Sequence, residues 1–212
     1  DIVVSDVMMP IMNGITMCKM LKEDVRTSHI PIILLTAKDS LQDKEEGYQV
    51  GADSYLTKPF SATLLHSRIN NLLESRKRLA ERLNTNTPHH NMDEKRALLA
   101  DSLNKLDNEF LEKINRLIED RLSSEKIDIG YLADNMCMSK STLYRKMKAL
   151  TGLSTNEYVR KIKMQYAERL LLEGRYNVSE IAFRVGINSV VYFRQCFKEE
   201  FGVLPSDYLK QP

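Results

Sequence analysis

Cysteine is scarce: Cys18, Cys137 and Cys196 are the three in 212 residues, and they lie far apart with no CxxC spacing. An odd, scattered set of this kind argues against a disulfide framework and fits plain structural thiols in a reducing compartment. No apolar run approaches the roughly 18–20 residues that a bilayer span needs. No signal peptide is read at the start. The expectation is therefore a cytoplasmic segment with no membrane contact of its own, although the parent chain can be anchored in an inner membrane. His89 and His90 are adjacent, and no further ligand stands at a metal-binding spacing, so a zinc site is not expected.

The hydrophobic fraction of 42% is ordinary and allows one or two domains with real cores. The net charge of +2 hides an asymmetry. Residues 1–75 hold 7 Lys/Arg against 10 Asp/Glu, whereas residues 125–212 hold 14 against 10. The basic end also contains an internal repeat, Ile129–Tyr158 and Val178–Tyr208, with matched positions about fifty residues apart. Ala133 matches Ala182, and Cys137 sits where Gly186 sits. After one inserted residue, Leu143 matches Phe193, Met147 matches Phe197, Gly152 matches Gly202 and Tyr158 matches Tyr208. Each unit reads as helix, tight turn, helix. Two such units joined by one helix suit a clamp on two successive major grooves.

The acidic end alternates strands and helices, which argues for a parallel α/β sheet. Strands are expected at Asp1–Asp6, Ile30–Thr36 and Asp53–Leu56, and helices at Ile15–Lys22, Ser40–Val50 and from Ser61 towards Arg76. Their carboxyl ends carry Asp6, Thr36 and Lys58, where active groups gather in such sheets. A carboxylate, a hydroxyl and an ammonium at one rim can accept and hold a phosphoryl group.

The stretches VVSDVMMPIMNG, IILLTAK and YLTKPF resemble a response-regulator receiver domain of the CheY-like kind. The resemblance implies that Asp6 is the phosphoacceptor, Thr36 the switch hydroxyl, and Lys58 the phosphate-binding lysine with a cis bond to Pro59. It also implies that Tyr55 is the aromatic that turns inward on activation. Mg²⁺ serves an intact receiver, with Asp6 and the main-chain carbonyl of Met8 among its ligands. By this resemblance the chain starts at the third strand, and an acidic pair that completes the metal site is absent. The expectation is poor Mg²⁺ binding, with no cofactor held by this fragment, and slow or absent phosphorylation. Strand Ile2–Ser5 is then expected to be an edge that pairs with another chain or frays.

Arg76–Arg82 (RKRLAER) reads as a solvated basic helix end. Asn84–Met92 (NTNTPHHNM) reads as a polar hinge, and Asp93–Asn104 as a short helix. Beyond it, apolar residues at 110, 111, 114, 117, 118 and 122 give an amphipathic helix over Asn108–Leu122. Asp128 then caps a helix through Met136, and Ser139 caps one to Leu150. Ser154 with Glu157 forms a capping box for a helix to about Glu173, and Asn177 with Glu180 repeats it for a helix through Val185. Ser189–Phe201 and a short helix from Pro205 to Leu209 complete seven.

Residues 107–210 resemble the AraC/XylS-type DNA-binding domain, most specifically in LYRKMKALTGLSTNEYVRKIKMQYAERLLLEG and VSEIAFRVGINSVVYFRQCFKEEFGVLPSDY. One departure is Cys137, where the family has a glycine turn. The second helix of each unit is expected in the major groove. The candidates are Lys140, Ser141, Thr142, Tyr144, Arg145 and Lys148 in the first unit, with Leu143, Met147 and Leu150 facing the core. By family position Ser141 and Arg145 are the base contacts; a bidentate Arg145–guanine pair is worth about 1–3 kcal/mol of discrimination. In the second unit the candidates are Asn188, Ser189, Val190, Val191, Arg194, Gln195 and Lys198. Gln195 matches Arg145 and suits adenine, and Val190 or Val191 meets a thymine methyl. Tyr192 faces phosphate or is partly packed. Lys148 and Lys198 match and are expected on the backbone. The two reading helices should stand about 34 Å apart, one duplex turn.

The fold class is mainly α: a partial α/β receiver with three parallel strands, plus an all-α domain with two helix-turn-helix units at 129–150 and 178–201. The domains read as 1–75, a linker 76–106, and 107–212. The expected function is a sequence-specific DNA-binding transcription regulator at the output end of a two-component phosphorelay. The alternative is the C-terminal part of a hybrid sensor histidine kinase, whose kinase activity lies mostly outside this chain. No nucleotide-binding glycine box and no phosphoacceptor histidine occurs here, so the chain itself is not expected to be an enzyme. Expected partners are double-stranded promoter DNA, a histidine kinase domain, and a second copy through Ser40–Val50 and Ser61–Arg76. Two rivals differ in class: a phosphotransfer module working on Asp6 without DNA, and an adaptor that uses the helical units as docking surface.

Overall fold

The computed structural model describes residues 1–37, 49–84, 104–123 and 127–208. Nearly all of the expected hinge Asn84–Met92, of helix Ser40–Val50 and of Asp93–Asn104, and the pair His89-His90, lie outside the described residues. Two compact units emerge, one containing Asp1–Leu83 and the other Glu109–Pro212.

In the first unit, strands β1 (Val3–Asp6), β2 (Ile32–Thr36) and β3 (Ser54–Thr57) form a parallel sheet in the order β1-β2-β3. Val3 pairs with Ile32 and Asp6 with Leu35; Ile33 pairs with Ser54 and Thr36 with Thr57. The β-branched and leucine run of β2 is buried almost throughout, as a central parallel strand requires. Cys18 from helix α1 (Gly14–Glu23) packs with Ile32, Leu34, Ala52 and Tyr55 to make the core. β2 begins at Ile32 rather than Ile30. Ile30 donates to Thr27 in a preceding turn, and Pro31 has no N–H, so its carbonyl alone joins the ladder, accepting from Val3 at 2.9 Å. β3 likewise starts one residue later than expected, because Asp53 is used at the entry. Its backbone N–H donates to the Ile32 carbonyl at 3.0 Å, and its carboxylate accepts from the Ile32 N–H at 2.9 Å.

Helix α2 (Ala62–Asn84) runs well past Arg76. Arg76 is not a solvated end: it lies 3.3 Å from Asp53, whose other oxygen is 2.6 Å from Lys22. One carboxylate thus ties α1, the β3 entry and α2 together, and all three side chains are largely withdrawn from water.

From Lys105 on, the described residues form seven helices: α3 (Lys105–Glu119), α4 (Ile129–Asn135), α5 (Lys140–Thr151), α6 (Thr155–Leu172), α7 (Val178–Arg184), α8 (Val190–Phe201) and α9 (Pro205–Tyr208). α3 starts three residues before the expected Asn108, because the Asn104 side chain accepts the Asp107 N–H at 2.8 Å. Asp128, Ser139, Ser154, Asn177 and Ser189 each cap the helix that follows, and both capping boxes close.

The repeat is structural as well as sequential. Met138 N–H donates to the Ala133 carbonyl at 2.9 Å, and Ile187 N–H donates to the Ala182 carbonyl at 2.9 Å. Gly152 and Gly202 end α5 and α8 in left-handed conformation, donating to the Lys148 and Lys198 carbonyls. Leu143 and Met147 in one unit, and Phe193 and Phe197 in the other, are buried. Tyr158 donates to Asn115 at 2.9 Å, and its counterpart Tyr208 donates to Glu168. Burial pushes both phenols up to about 12. Helices α5 and α8 both pack on α6.

Candidate nucleic-acid interface and phosphoacceptor rim

At the carboxyl edge of the sheet, Lys58 Nζ donates to Asp6 Oδ2 at 2.5 Å. The Lys58 hydrogen bond, opposed in part by desolvation, holds the Asp6 carboxyl below its ordinary value of 3.8. Met8 N–H reaches Asp6 Oδ1 at 3.4 Å. Thr36 is buried, and its carbonyl accepts the Lys58 N–H at 2.7 Å. The Lys58–Pro59 peptide is cis. Tyr55 is turned inward, within the core cluster around Cys18. Strand β1 and strand β3 therefore bring an acid and an ammonium together on either side of β2, the arrangement the sequence motifs imply.

Gly14 sets how closely α1 approaches this rim. A Cβ there would lie 2.3 Å from the Asp6 carbonyl oxygen, and the Gly14 N–H donates to the Val7 carbonyl at 2.9 Å. Only hydrogen fits that gap.

Mg²⁺ demands near-octahedral oxygen coordination. The resemblance names Asp6 and the Met8 carbonyl as two such ligands, and no group of three or more His, Cys, Asp or Glu that could hold a metal occurs among the described residues. These residues do not by themselves assemble the magnesium set that the resemblance implies.

On α5 and α8 exposed polar and buried apolar faces alternate. Lys140, Ser141, Tyr144, Arg145 and Lys148 are exposed on α5, while Leu143, Met147 and Leu150 are buried. Thr142 is half-buried, and its hydroxyl and that of Ser141 each share a hydrogen bond with the capping Ser139, at 2.8 and 2.9 Å. On the second unit Asn188, Ser189, Val191, Arg194, Gln195 and Lys198 are exposed. Val190 is corrected: it packs against the core of Ile181, Phe193 and Phe197, so Val191, 77% exposed, is the valine that presents methyls. Ser189 serves as the cap of α8, accepting the Tyr192 N–H at 3.3 Å.

Tyr192 is half-exposed, and its hydroxyl lies beside Arg160 of α6. Arg160 also lies 3.7 Å from Glu199, which accepts from Gln195 at 3.1 Å. Arg160 and Glu199 were not singled out by sequence; the spacing of Gln195 and Glu199, one helical turn apart, is the signal that could have found the latter.

No helix among the described residues is long and apolar enough to cross a membrane.

Residues 1–70 match the response regulator receiver domain family, and residues 132–211 match a helix-turn-helix domain family. Histidine kinase P4 of Formosa agariphila is 37% identical over 208 residues, covering 98% of this chain and 15% of that protein. The DNA-binding dual master transcriptional regulator RpaA of Synechocystis is 41% identical over 81 residues, 38% of this chain and 34% of that one. Among solved structures, the C-terminal domain of AraT, a response regulator from Geobacillus stearothermophilus, is 30% identical, with a TM-score of 0.44 over 48% of this chain and 84% of its own. The chain thus spans a minor part of the two curated relatives. Residues 1–70 thus carry the match to the response regulator receiver domain, and residues 132–211 the match to a helix-turn-helix domain.

Proposed function

We propose that this chain is the DNA-binding output end of a two-component system, with a receiver over residues 1–75 joined through 76–106 to a transcription-regulator domain over 107–212. α5 and α8 enter successive major grooves of promoter DNA, about 34 Å apart. Arg145 and Gln195 meet base edges, with Ser141, Val191 and Arg194 beside them. Lys140, Lys148 and Lys198 neutralise phosphates. The observation that carries the reading is the duplicated turn: two helix pairs with the same turn hydrogen bond, whose second helices share a serine N-cap and a glycine C-cap and present exposed polar faces on one supporting helix. A titration with duplex DNA at two salt concentrations tests it. Affinity should fall steeply with salt, since each neutralised phosphate releases counterions. Affinity indifferent to salt would point to the adaptor instead.

Asp6, Lys58, Thr36 and Tyr55 constitute the input: a phosphoryl group on Asp6 would displace Lys58 from the carboxylate and give the ammonium a new partner. The donor is a histidine kinase domain. The alignment of Histidine kinase P4 across both segments favours a second, compatible reading in which that kinase belongs to the same parent chain. On either reading the work of this segment is binding, not catalysis. Acyl-phosphate labelling of Asp6, with Asp6→Asn as control, tests the input separately from the DNA titration; slow or absent labelling is expected of this segment alone, and labelling at a normal rate would overturn that expectation.

A further inference from the structure

A glutamine amide can face a base with its oxygen or its nitrogen, and its own chemistry does not decide which. On α8 the choice is made by a neighbour. Gln195 Nε2 donates to Glu199 Oε1 at 3.1 Å. A carboxylate only accepts, so the amide must turn its nitrogen to Glu199, which leaves the oxygen available at the reading face. Glu199 is itself held: Arg160 Nη1 of α6 lies 3.7 Å from Glu199 Oε2. The same guanidinium lies beside the Tyr192 hydroxyl, one turn before Gln195 on α8.

We propose that Arg160, Glu199 and Gln195 form an orientation lock that confines the second reading helix to a base carrying an amino group. The inference rests on α8 entering the major groove as proposed above. There, adenine N6 and cytosine N4 offer donors, whereas guanine O6 and thymine O4 offer acceptors. An amide oxygen facing the groove pairs with the first two. To serve guanine or thymine the amide must flip, which sets its oxygen against the Glu199 carboxylate, acceptor against acceptor. Arg160 is required because an unpaired Glu199 would be repelled by the phosphates that α8 approaches. The Arg160 and Glu199 side chains are about half exposed, 45% and 51%, so their ion pair adds little to stability. Its effect is on which way the amide points. Arg160 is thus a positioning residue, placed outside both helix-turn-helix units.

The test uses the full chain and a DNA pool randomised across the binding site, with selected sequences read for the unaltered protein and for Gln195→Ala, Glu199→Ala, Arg160→Ala and Arg160→Lys. Gln195→Ala locates the position, which should show adenine or cytosine in the unaltered protein. Glu199→Ala and Arg160→Ala should each lower the amino-over-keto preference at that position alone by about tenfold, within the range of one base contact. Arg160→Lys, which keeps the charge, should restore most of it. The lock is overturned by guanine or thymine at that position, by a preference unchanged in Glu199→Ala, or by loss spread evenly over all positions. A Gln195→Ala profile identical to the unaltered one overturns it too. In each of these cases the chain still binds DNA. Absence of salt-dependent binding by the unaltered chain removes the DNA reading itself, and the lock with it.

Discussion

Cys137 and Gly186 occupy the same left-handed turn position, at φ 53° and 66°. Each ends the first helix of its unit and aims the next. Glycine takes this conformation freely, whereas a residue with a Cβ is strained there by about 1 kcal/mol or more. Cys137 is exposed, so its side chain brings no compensating burial. Cys137→Gly should therefore stabilise the helical unit by about 1 kcal/mol, and Gly186→Cys should destabilise it by a similar amount. Thermal unfolding followed by circular dichroism at 222 nm reads both, and a lower midpoint for Cys137→Gly would contradict the assignment of strain.

Gly14 offers a harsher test. Its missing Cβ is replaced by the Asp6 carbonyl oxygen, 2.3 Å from where the carbon would stand. Backbone cannot swing aside as a long side chain can. Gly14→Ala must push α1 off the carboxyl end of β1, at a cost of about 1–3 kcal/mol by the scale of overpacked interiors. Urea unfolding should show the loss, and the Asp6 carboxyl resonance should shift in the same variant. A neutral substitution with an unmoved Asp6 would mean that the approach is looser than described.

How much of this was readable in advance depends on the range of the interaction. Caps such as Ser154 with Glu157 and Asn177 with Glu180 are closed by residues three apart, so the letters alone reveal them. The rim motifs around Asp6, Thr36 and Lys58 were legible because parallel strands place their carboxyl ends side by side. The start of β2 was misplaced because Pro31 joins the ladder by its carbonyl only. Val190 and Val191 could not be told apart by residue type; helix phase decides which is packed and which is free. The pairings of Arg76 with Asp53 and of Arg160 with Glu199 were invisible, since each joins separate elements through long side chains.

The Asp6–Lys58 pair fixes a pH response. Its folded carboxyl lies below the ordinary 3.8, so the interaction is fully present above that value and is lost as pH falls through the lower, folded one. A carboxyl-carbon NMR titration of Asp6 should show a midpoint below 3.8, and Lys58→Met should return it towards that value. A midpoint at or above 3.8 in the unaltered chain would break the pairing as described.

Arg145 and Lys148 stand about one turn apart on the same face of α5, both exposed, and the proposed interface gives them different tasks. A guanidinium at a base edge discriminates, while an ammonium on phosphate only attracts. Arg145→Ala should therefore weaken binding by about 1–3 kcal/mol at sites with the preferred base and flatten the preference at one position. Lys148→Ala should weaken all sequences alike and reduce the slope of log affinity against log salt by about 1. The distinction survives any global loss of stability, because misfolding lowers the amount of active protein without changing either the base profile or the salt slope. Exchange of the two signatures, with Lys148→Ala altering preference and Arg145→Ala altering only the slope, would rotate α5 about its axis relative to the duplex.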